Sequence, residues 1–281
     1  MLLGVHVSIA GHIYESLDRA VALGCNAMQI FSRDPRQWRK AKLRHEDIEE
    51  FRKRRLKGKI EKVFVHIPYL INLASPYNIL YKGSIRACVQ DINEAEVLGA
   101  EYIVTHMGSH KKSGEGQGLK RFTQAINRIL EKTKDSPVKI LFENTSGSGS
   151  WLGYSFEQQR LVIDGIEDKK RIGVCFDTCH GYTAGYDLAS AEGYEKTISG
   201  LDEIIGLKML KLIHLNDTRD KLGSRRDRHE HIGKGKIGLE GFKRILNDNR
   251  LEDAAFILET PKDSETSDKK NLKTVRKLVR K

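Results

Sequence analysis

The sequence Ile172–Asp177, IGVCFD, is a short apolar run that ends in a carboxylate and leads directly into Thr178, Cys179 and His180. Such runs of four to eight residues are typical of buried strands. Seven other runs of this kind occur along the chain, at Leu2–Val7, Ala27–Phe31, Lys62–His66, Tyr102–His106, Val138–Glu143, Lys211–Asn216 and Phe256–Glu259. Each of the eight runs is followed by a segment with the 3.6-residue periodicity of an amphipathic helix. This alternation predicts a parallel sheet made of βα units.

Eight βα units in 281 residues have the number and size of a (β/α)8 TIM barrel. A doubly wound sheet is the alternative, but it usually has fewer units and a glycine-rich first turn, which this sequence lacks. Helix-to-strand connections are short, whereas the long strand-to-helix connections are Ile67–Lys82, Asn144–Ser155, Thr178–Ser190 and Asp217–Gly238. We therefore expect residues 1–281 to form one barrel domain with its active site at the C-terminal ends of the strands.

The composition narrows the class of protein. Hydrophobic residues make up 39% of the chain and charged residues 31%, which allows a real core under a highly charged surface. No stretch approaches the roughly 20 apolar residues of a membrane helix. The four cysteines form no CxxC pair and do not suggest a disulfide framework. We expect a cytoplasmic, monomeric protein without a membrane partner.

The net charge is +11 with neutral histidine, and it is unevenly distributed. Residues 33–62 carry 13 basic and 6 acidic side chains, and residues 262–281 carry 8 basic and 3 acidic side chains. A positive field favours a polyanionic partner such as nucleic acid, because phosphate contacts release counterions. A solvated surface rich in ion pairs explains a basic run equally well, so charge alone does not decide the function.

Six consecutive predicted strands carry, at or near their C-terminal ends, a side chain that can bind a metal. These side chains are His66, His106, Glu143, Asp177, His214 and Glu259. A barrel brings strand ends into one ring, and burying so many ionisable groups without ions would cost several kcal/mol each. Imidazoles together with carboxylates suit Zn, Mn or Fe better than Ca or Mg. The sequence therefore predicts a metal centre in this ring.

The loops after the sixth and seventh strands contribute further candidates. His180 lies three residues after Asp177, and Asp227, His229 and His231 lie together in the longest loop. Cys175 and Cys179 flank Asp177. Spacing alone leaves a thiolate ligand open, although a small buried cysteine is the more common interpretation.

Several stretches, in this order, resemble the endonuclease IV family of apurinic/apyrimidinic endonucleases, which are tri-zinc barrel enzymes of base-excision repair. The resemblance covers essentially the whole chain and rests on His66–Ala74, Gly173–His180, His214–Asp217 and Gly223–His229, with support from His106–His110 and Glu143–Thr145. The departures from the family pattern lie outside its ligand positions. They are Met107 in place of a usual proline, Thr218 and Arg219 in place of a small residue and lysine, and Lys234 at an often acidic position.

The resemblance implies three zinc ions per chain, with Mn²⁺ or Fe²⁺ as alternatives at some sites. His66 and His106 would hold the first ion, and Glu143 would bridge it to the second. The second site would be completed by Asp177, His214 and Glu259, and the third would consist of His180, Asp227 and His229.

The resemblance also implies the reaction. Glu143 and Glu259 would be the catalytic residues, acting with a metal-bridged hydroxide that attacks phosphorus, while the third metal stabilises the leaving 3′ oxygen. The phosphodiester 5′ to an abasic site in double-stranded DNA would be hydrolysed to a 3′-hydroxyl and a 5′-deoxyribose phosphate. The same centre would remove 3′ blocking groups.

Lesion recognition requires different residues. The positions that match the family's DNA-inserting side chains are Arg36, Tyr69 and Leu70. They would enter the base stack and flip the abasic nucleotide, and flipping costs less there than at an intact base. Ordinary loop packing is the alternative interpretation for Tyr69 and Leu70.

Two other functions remain open from the residues. A two-metal sugar isomerase or epimerase could use Glu143, Asp177, His214 and Glu259 alone, but it would need neither the third trio nor a charge of +11. A nucleic-acid-binding protein with structural metals is the second alternative. Structural zinc sites are usually closed and often contain cysteines, whereas the implied sites contain none and share a carboxylate.

Overall fold

A computed structural model of the chain describes residues 1–34, 38 and 43–280. Its main sheet has eight parallel strands in the order β1-β10-β7-β6-β5-β4-β3-β2. These are β1 Leu2–Val5, β2 Ala27–Phe31, β3 Lys62–His66, β4 Tyr102–His106, β5 Lys139–Glu143, β6 Ile172–Asp177, β7 Leu210–His214 and β10 Ala255–Leu258. The short strands β8 Asp217–Thr218 and β9 His229–Glu230 form a separate antiparallel pair.

The helices of the described residues alternate with the barrel strands. They are α1 Glu15–Ala22, α2 His45–Gly58, α3 Asn78–Leu98, α4 Glu115–Lys132, α5 Phe156–Asp164, α6 Thr178–Ala184, α7 Ala191–Ile204, α8 Gly238–Leu246 and α9 Ser267–Leu278. The predicted (β/α)8 barrel is thereby confirmed. Within the described ranges, none of these helices combines the length and apolar character needed to cross a membrane.

The barrel closes between β1 and β2. His6 forms a parallel bridge with Gln29, and the Val7 amide donates to the Gln29 carbonyl at 2.8 Å. A Cβ on Gly4 would lie 1.8 Å from the carbonyl oxygen of Ala27. Glycine at this position therefore allows the two strands to approach each other at the seam.

One predicted loop is partly helical. Residues Thr178–Ser190 were expected to form a long connection, but α6 starts at Thr178, directly after β6. The reason is that the Asp177 carboxylate accepts a hydrogen bond from the His180 amide at 2.8 Å and so caps the helix. The cap also fixes the position of His180 relative to the strand end.

The hydrophobic core has two layers. A large layer between the strands and the helices contains residues such as Phe51, Phe122 and Phe242. A smaller cluster fills the inside of the barrel and consists of Ala27, Phe64, Val104, Leu141, Cys175, Leu212, Ala255 and Ile257. Side chains alternate between the two faces of a strand. The residue two positions after each member of this inner cluster therefore also points to the inside of the barrel.

Truncation of the inner cluster should destabilise the whole barrel. Phe64 is fully buried and stacks on Tyr102 with a centroid distance of 5.1 Å. We expect Phe64→Ala to lower the free energy of unfolding by about 3–5 kcal/mol, measured from the chemical unfolding midpoint. Leu56→Ala is the control, since Leu56 is 83% exposed and should change stability by less than about 0.5 kcal/mol. Equal effects of the two substitutions would contradict the assignment of Phe64 to the inner core.

Candidate metal centre

A ring of polar side chains lies directly above the inner cluster, at the C-terminal ends of the strands. Each member follows an inner-cluster residue by two positions, as the pair Phe64 and His66 illustrates. The structure brings together all six strand-end residues predicted from the sequence, which are His66, His106, Glu143, Asp177, His214 and Glu259. Glu259 follows the last residue of β10 instead of lying within the strand.

The first group of potential ligands consists of His66, His106 and Glu143. Nε2 of His66 lies 3.0 Å from Oε2 of Glu143, and Nε2 of His106 lies 3.7 Å from the same oxygen. Nδ1 of His66 is 2.7 Å from the Ile67 carbonyl. A carbonyl can only accept, so Nδ1 carries a proton, and in the neutral form of the ring it is the Nε2 lone pair that faces the carboxylate.

The second group consists of Glu143, Asp177, His214 and Glu259. Nδ1 of His214 is 3.1 Å from Oε1 of Glu143, 3.4 Å from Oε2 of Glu259 and 3.9 Å from Oδ2 of Asp177. The two groups share Glu143, whose two oxygens face one group each. This is the arrangement expected of a bridging carboxylate.

The third group consists of His180, Asp227 and His229. Nε2 of His180 lies 3.1 Å from Oδ2 of Asp227, and Nε2 of His229 lies 3.4 Å from Oδ1. The other nitrogen of each ring faces a backbone carbonyl at 3.0 Å. Nδ1 of His180 faces the carbonyl of Asn144, and Nδ1 of His229 faces the carbonyl of Glu259. Both rings therefore turn Nε2 toward the carboxylate.

The donor set of the three groups fits divalent metal ions. Nε2 of His229 is buried and has no hydrogen-bond partner among the described residues, although buried polar atoms are normally paired. In the first and third groups, imidazole Nε2 atoms face carboxylate oxygens, and in the neutral rings these are lone pairs directed at other acceptors. A cation between such acceptors satisfies both, and a second nitrogen that donates to a carbonyl is the usual support of a metal-binding histidine.

The electrostatics of the ring are strongly coupled. Burial would raise the pKa of Glu143, but His106 and His214 outweigh it and hold the pKa well below its ordinary value. Burial lowers the pKa of His106 to about 4. For Asp227, burial is outweighed by His180 and His229, which lower its pKa to about 2. The Glu143 and Asp227 carboxylates are thus ionised at neutral pH, as metal ligands must be.

The cysteines that flank Asp177 also reach the ring. Cys175 lies with Glu143 and His214, and Cys179 lies with Asp177 and His229, in groups of suitable size for a metal. Burial raises the pKa of the Cys175 thiol to about 12. A thiol is a poor metal ligand compared with a thiolate. The raised pKa therefore favours the interpretation of Cys175 as a small buried residue of the core.

Two asparagines next to ligand positions orient Asp177 and Glu259. Asn216 donates to Oδ2 of Asp177 at 2.7 Å and accepts from the Glu259 amide at 2.8 Å. Asn144 accepts from the Asp177 amide at 2.6 Å and donates to its carbonyl at 3.0 Å. Through these contacts, both asparagines hold the neighbouring carboxylate residues in place, as residues behind a metal ligand commonly do.

The loop that carries Asp227 and His229 is held at its base by Asp217. The Asp217 carboxylate accepts backbone N–H bonds from Thr218, Gly233, Gly235, Ile237 and Gly238 at 2.8–3.3 Å. Because both ends of the loop converge on one buried side chain, its tip has a defined position over the ring. Sequence reasoning assigned Asp217 no role beyond its place in a motif.

Sequence reasoning also missed Gln29, the polar side chain at the corresponding position of β2. It is buried and contacts His6, His214 and Glu259. The available signal was a single polar residue in the apolar strand Ala27–Phe31, two positions after the inward-facing Ala27. His6 occupies the equivalent position after β1, where its Nδ1 lies 3.2 Å from Glu259.

A cavity of about 490 Å³ opens beside the first and third groups. Its lining contains Tyr69, His106, Thr145, Ser146, Ser148, Trp151, His180, Arg226, Asp227 and Arg228. The Tyr69 side chain is exposed at its edge and packs against Phe31. Leu70 is half-buried in the same loop, and Arg36 lies outside the described residues.

The departures from the family pattern have local partners. Met107 is fully buried and packs closely against Gly153, where a Cβ atom would collide with the Met107 side chain. Arg219 pairs with Glu230 at 2.7 Å, and the Thr218 hydroxyl donates to the Arg228 carbonyl at 3.2 Å. The contacts of Arg219 and Thr218 stabilise the loop of the third group.

Comparisons with known proteins agree with this geometry. A family model described as "Xylose isomerase-like TIM barrel" matches residues 17–281. The protein named "Probable endonuclease 4" of Halothermothrix orenii is 43% identical over 94% of this chain and 95% of its own length, and that of Methanoculleus marisnigri is 42% identical over 99% of both. The crystal structure of endonuclease IV from Thermus thermophilus superposes with a TM-score of 0.88, at 36% identity over 99% of this chain and 98% of that chain. At this similarity over nearly the full length of both partners, the chain belongs to the endonuclease IV family of apurinic/apyrimidinic endonucleases.

Proposed function

We propose that the protein hydrolyses the DNA backbone 5′ to abasic sites, leaving a 3′-hydroxyl and a 5′-deoxyribose phosphate, and that it removes 3′ blocking groups at the same centre. The observation that carries the proposal is the third ligand group of His180, Asp227 and His229 beside the other two. A two-metal sugar isomerase would need only the second group. Three contiguous groups suit a phosphodiester, which has an attacked phosphorus and a charged leaving oxygen.

The cofactors of this proposal are three zinc ions per chain. His66, His106 and Glu143 would hold the first, Glu143 with Asp177, His214 and Glu259 the second, and His180, Asp227 and His229 the third. When bound, such ions lower the pKa of water and offset negative charge on phosphate oxygens. Glu143 and Glu259 would be the catalytic carboxylates.

The protein's own residues would bind and orient the substrate. Arg226 and Arg228 line the cavity, and guanidinium groups form paired hydrogen bonds to phosphate. The hydroxyls of Ser146 and Ser148 belong to the same cavity wall. Tyr69 would enter the base stack from the cavity edge. We further propose that the protein acts as a monomeric, single-domain enzyme in the cytoplasm.

The decisive experiment uses a duplex with one stable abasic analogue and a 5′-end label. The zinc-loaded protein should produce a single shortened strand whose 3′ end a polymerase can extend, and it should leave an undamaged duplex intact. A sugar epimerase would leave both duplexes uncut and would interconvert ketohexoses instead. Binding of the abasic duplex without cleavage would show a binding protein with structural metals and would refute the proposal.

Lesion recognition gives a prediction of its own. Replacing Arg36, Tyr69 and Leu70 together with alanine should weaken binding to the abasic duplex about tenfold or more, because stacking contacts contribute about 1–3 kcal/mol per base. The zinc content should stay unchanged. Leu161→Ala, at an exposed position on α5, is the control. Unchanged affinity in a folded triple mutant would refute the insertion of these residues.

The salt dependence tests the electrostatic contribution. The basic residues of α2 include pairs such as Arg54 with Glu50. At the cavity, Arg226 and Arg228 both lie near Asp220, but their side chains remain 65% and 55% exposed and can reach a phosphate. The logarithm of the binding constant for the abasic duplex should fall with the logarithm of the salt concentration, with a slope steeper than about −2. Each neutralised phosphate contributes roughly −0.9 to this slope. Replacing Arg226 and Arg228 with alanine should reduce the steepness by about 1 to 2. Arg160→Ala is the control and should leave the slope unchanged, since Arg160 is paired with Asp164 on α5. A binding constant of the parent protein that does not depend on salt would show that these charges take no part in DNA binding.

A further inference from the structure

Gln29 lies where the barrel closes, and its side-chain amide joins two residues of the second ligand group. Its Nε2 is 2.5 Å from Oε1 of Glu259, and its Oε1 is 2.8 Å from Nε2 of His214. The residue is completely buried. No other side chain of β2 is polar.

The two contacts fix the orientation of the amide. A carboxylate oxygen can only accept, so the NH₂ end of Gln29 must face Glu259. The carbonyl end then faces His214. Since a carbonyl oxygen also only accepts, Nε2 of His214 must carry a proton.

This hydrogen bond determines which nitrogen of His214 is available to a metal. With the proton on Nε2, the neutral ring has its lone pair on Nδ1, which faces Glu143 at 3.1 Å and Oε2 of Glu259 at 3.4 Å. His66, His180 and His229 have the opposite arrangement, since their Nδ1 atoms donate to backbone carbonyls. His214 instead depends on the side chain of Gln29 for the same support.

We propose that Gln29 is a positioning residue of the metal centre. Gln29 holds His214 with its proton on Nε2, and it turns Nδ1 of His214 and Oε2 of Glu259 toward the second ligand group. The inference rests on the proposed function. Gln29 would touch neither metal nor substrate. Losing such a supporting contact typically weakens metal binding or activity 10- to 100-fold.

The test replaces Gln29 with methionine, which keeps the volume and removes both hydrogen bonds. In the zinc-loaded protein, competition with a chelating dye should show one zinc ion bound about 10- to 100-fold more weakly, with the other two unchanged. At low free zinc, kcat should fall while KM for the abasic duplex stays the same. Gln159→Met is the matched control, because Gln159 is equally buried and its amide has no hydrogen-bond partner in the described part of the chain. A folded Gln29→Met protein with the zinc affinities and kcat of the parent would overturn the proposal.

A measurement on the unaltered protein keeps the proposal testable if Gln29→Met does not fold. Nitrogen-15 spectra of the histidine rings in the zinc-loaded protein should show a proton on Nε2 of His214 and a metal-ligated Nδ1. A proton on Nδ1 would overturn the inference while leaving the proposed function intact. A parent protein that neither binds zinc nor cuts the abasic duplex would refute both, so the two failures are distinguishable.

Discussion

Glu143→Gln is expected to abolish cleavage of the abasic duplex and to reduce the bound zinc by at least one ion per chain. The Glu143 carboxylate lies within 3.0–3.7 Å of nitrogens of His66, His106, His180 and His214. An amide carries no charge and offers one acceptor oxygen in place of the two of a carboxylate, so it cannot bridge two ligand groups. We expect kcat to fall by a factor of about 10³ or more, since two of the proposed sites lose a shared ligand.

The measurement combines elemental analysis of the purified variant with single-turnover cleavage. Glu157→Gln, at an exposed position in the first turn of α5, is the control and should retain full zinc content and activity. A folded Glu143→Gln protein with three zinc ions and the parental rate would show that Glu143 does not bridge the sites.

The second large effect concerns the third ligand group. Asp227→Asn combined with His229→Ala should leave about two zinc ions bound and DNA binding intact, while kcat falls by a factor on the order of 10²–10³, the usual effect of losing one stabiliser of transition-state charge. Neither Asp227 nor His229 belongs to the first or the second group, so those groups keep all of their candidate ligands. The defect should lie in the transition state and lower kcat more than it raises KM.

A sulfur substitution in the DNA identifies the origin of this defect. A duplex with a 3′-thio leaving group should be cut by the double mutant at a rate closer to that of the parent, because a thiolate departs more easily than an alkoxide. The control pair is Asp263→Asn with His231→Ala. This Asp–His contact at 3.1 Å lies in the same part of the fold but outside the three ligand groups. Parental cleavage of the normal substrate by the Asp227 and His229 double mutant would support a two-metal enzyme instead.

The ring of strand-end ligands could be predicted because it depends on local rules. Alternation along a strand places Phe64 and His66 on the same face, and the barrel topology brings the ends of β3, β4, β5, β6 and β7 together. The order of the strands follows from the order of the βα units along the chain. These rules require no knowledge of side-chain contacts.

The residues of the third group were candidates by their type, but their grouping into one site could be proposed only from the family resemblance. Periodicity says nothing about where a loop of more than twenty residues folds, and the position of Asp227 and His229 depends on the five backbone N–H groups that converge on Asp217. The start of α6 at Thr178 likewise depends on the Asp177 side chain as a cap. Both are contacts between a side chain and a particular backbone conformation.

The sequence by itself therefore determined the barrel, the end of the barrel that carries the site and six candidate metal ligands, because alternation along strands and the order of βα units are local properties. Only the tertiary structure decided which ring nitrogen four of the histidines present. That choice depends on one acceptor about 3 Å away, a carbonyl for His66, His180 and His229 and the amide of Gln29 for His214. Gln29 and His214 are separated by 185 residues, and their contact exists only because the barrel closes between β1 and β2.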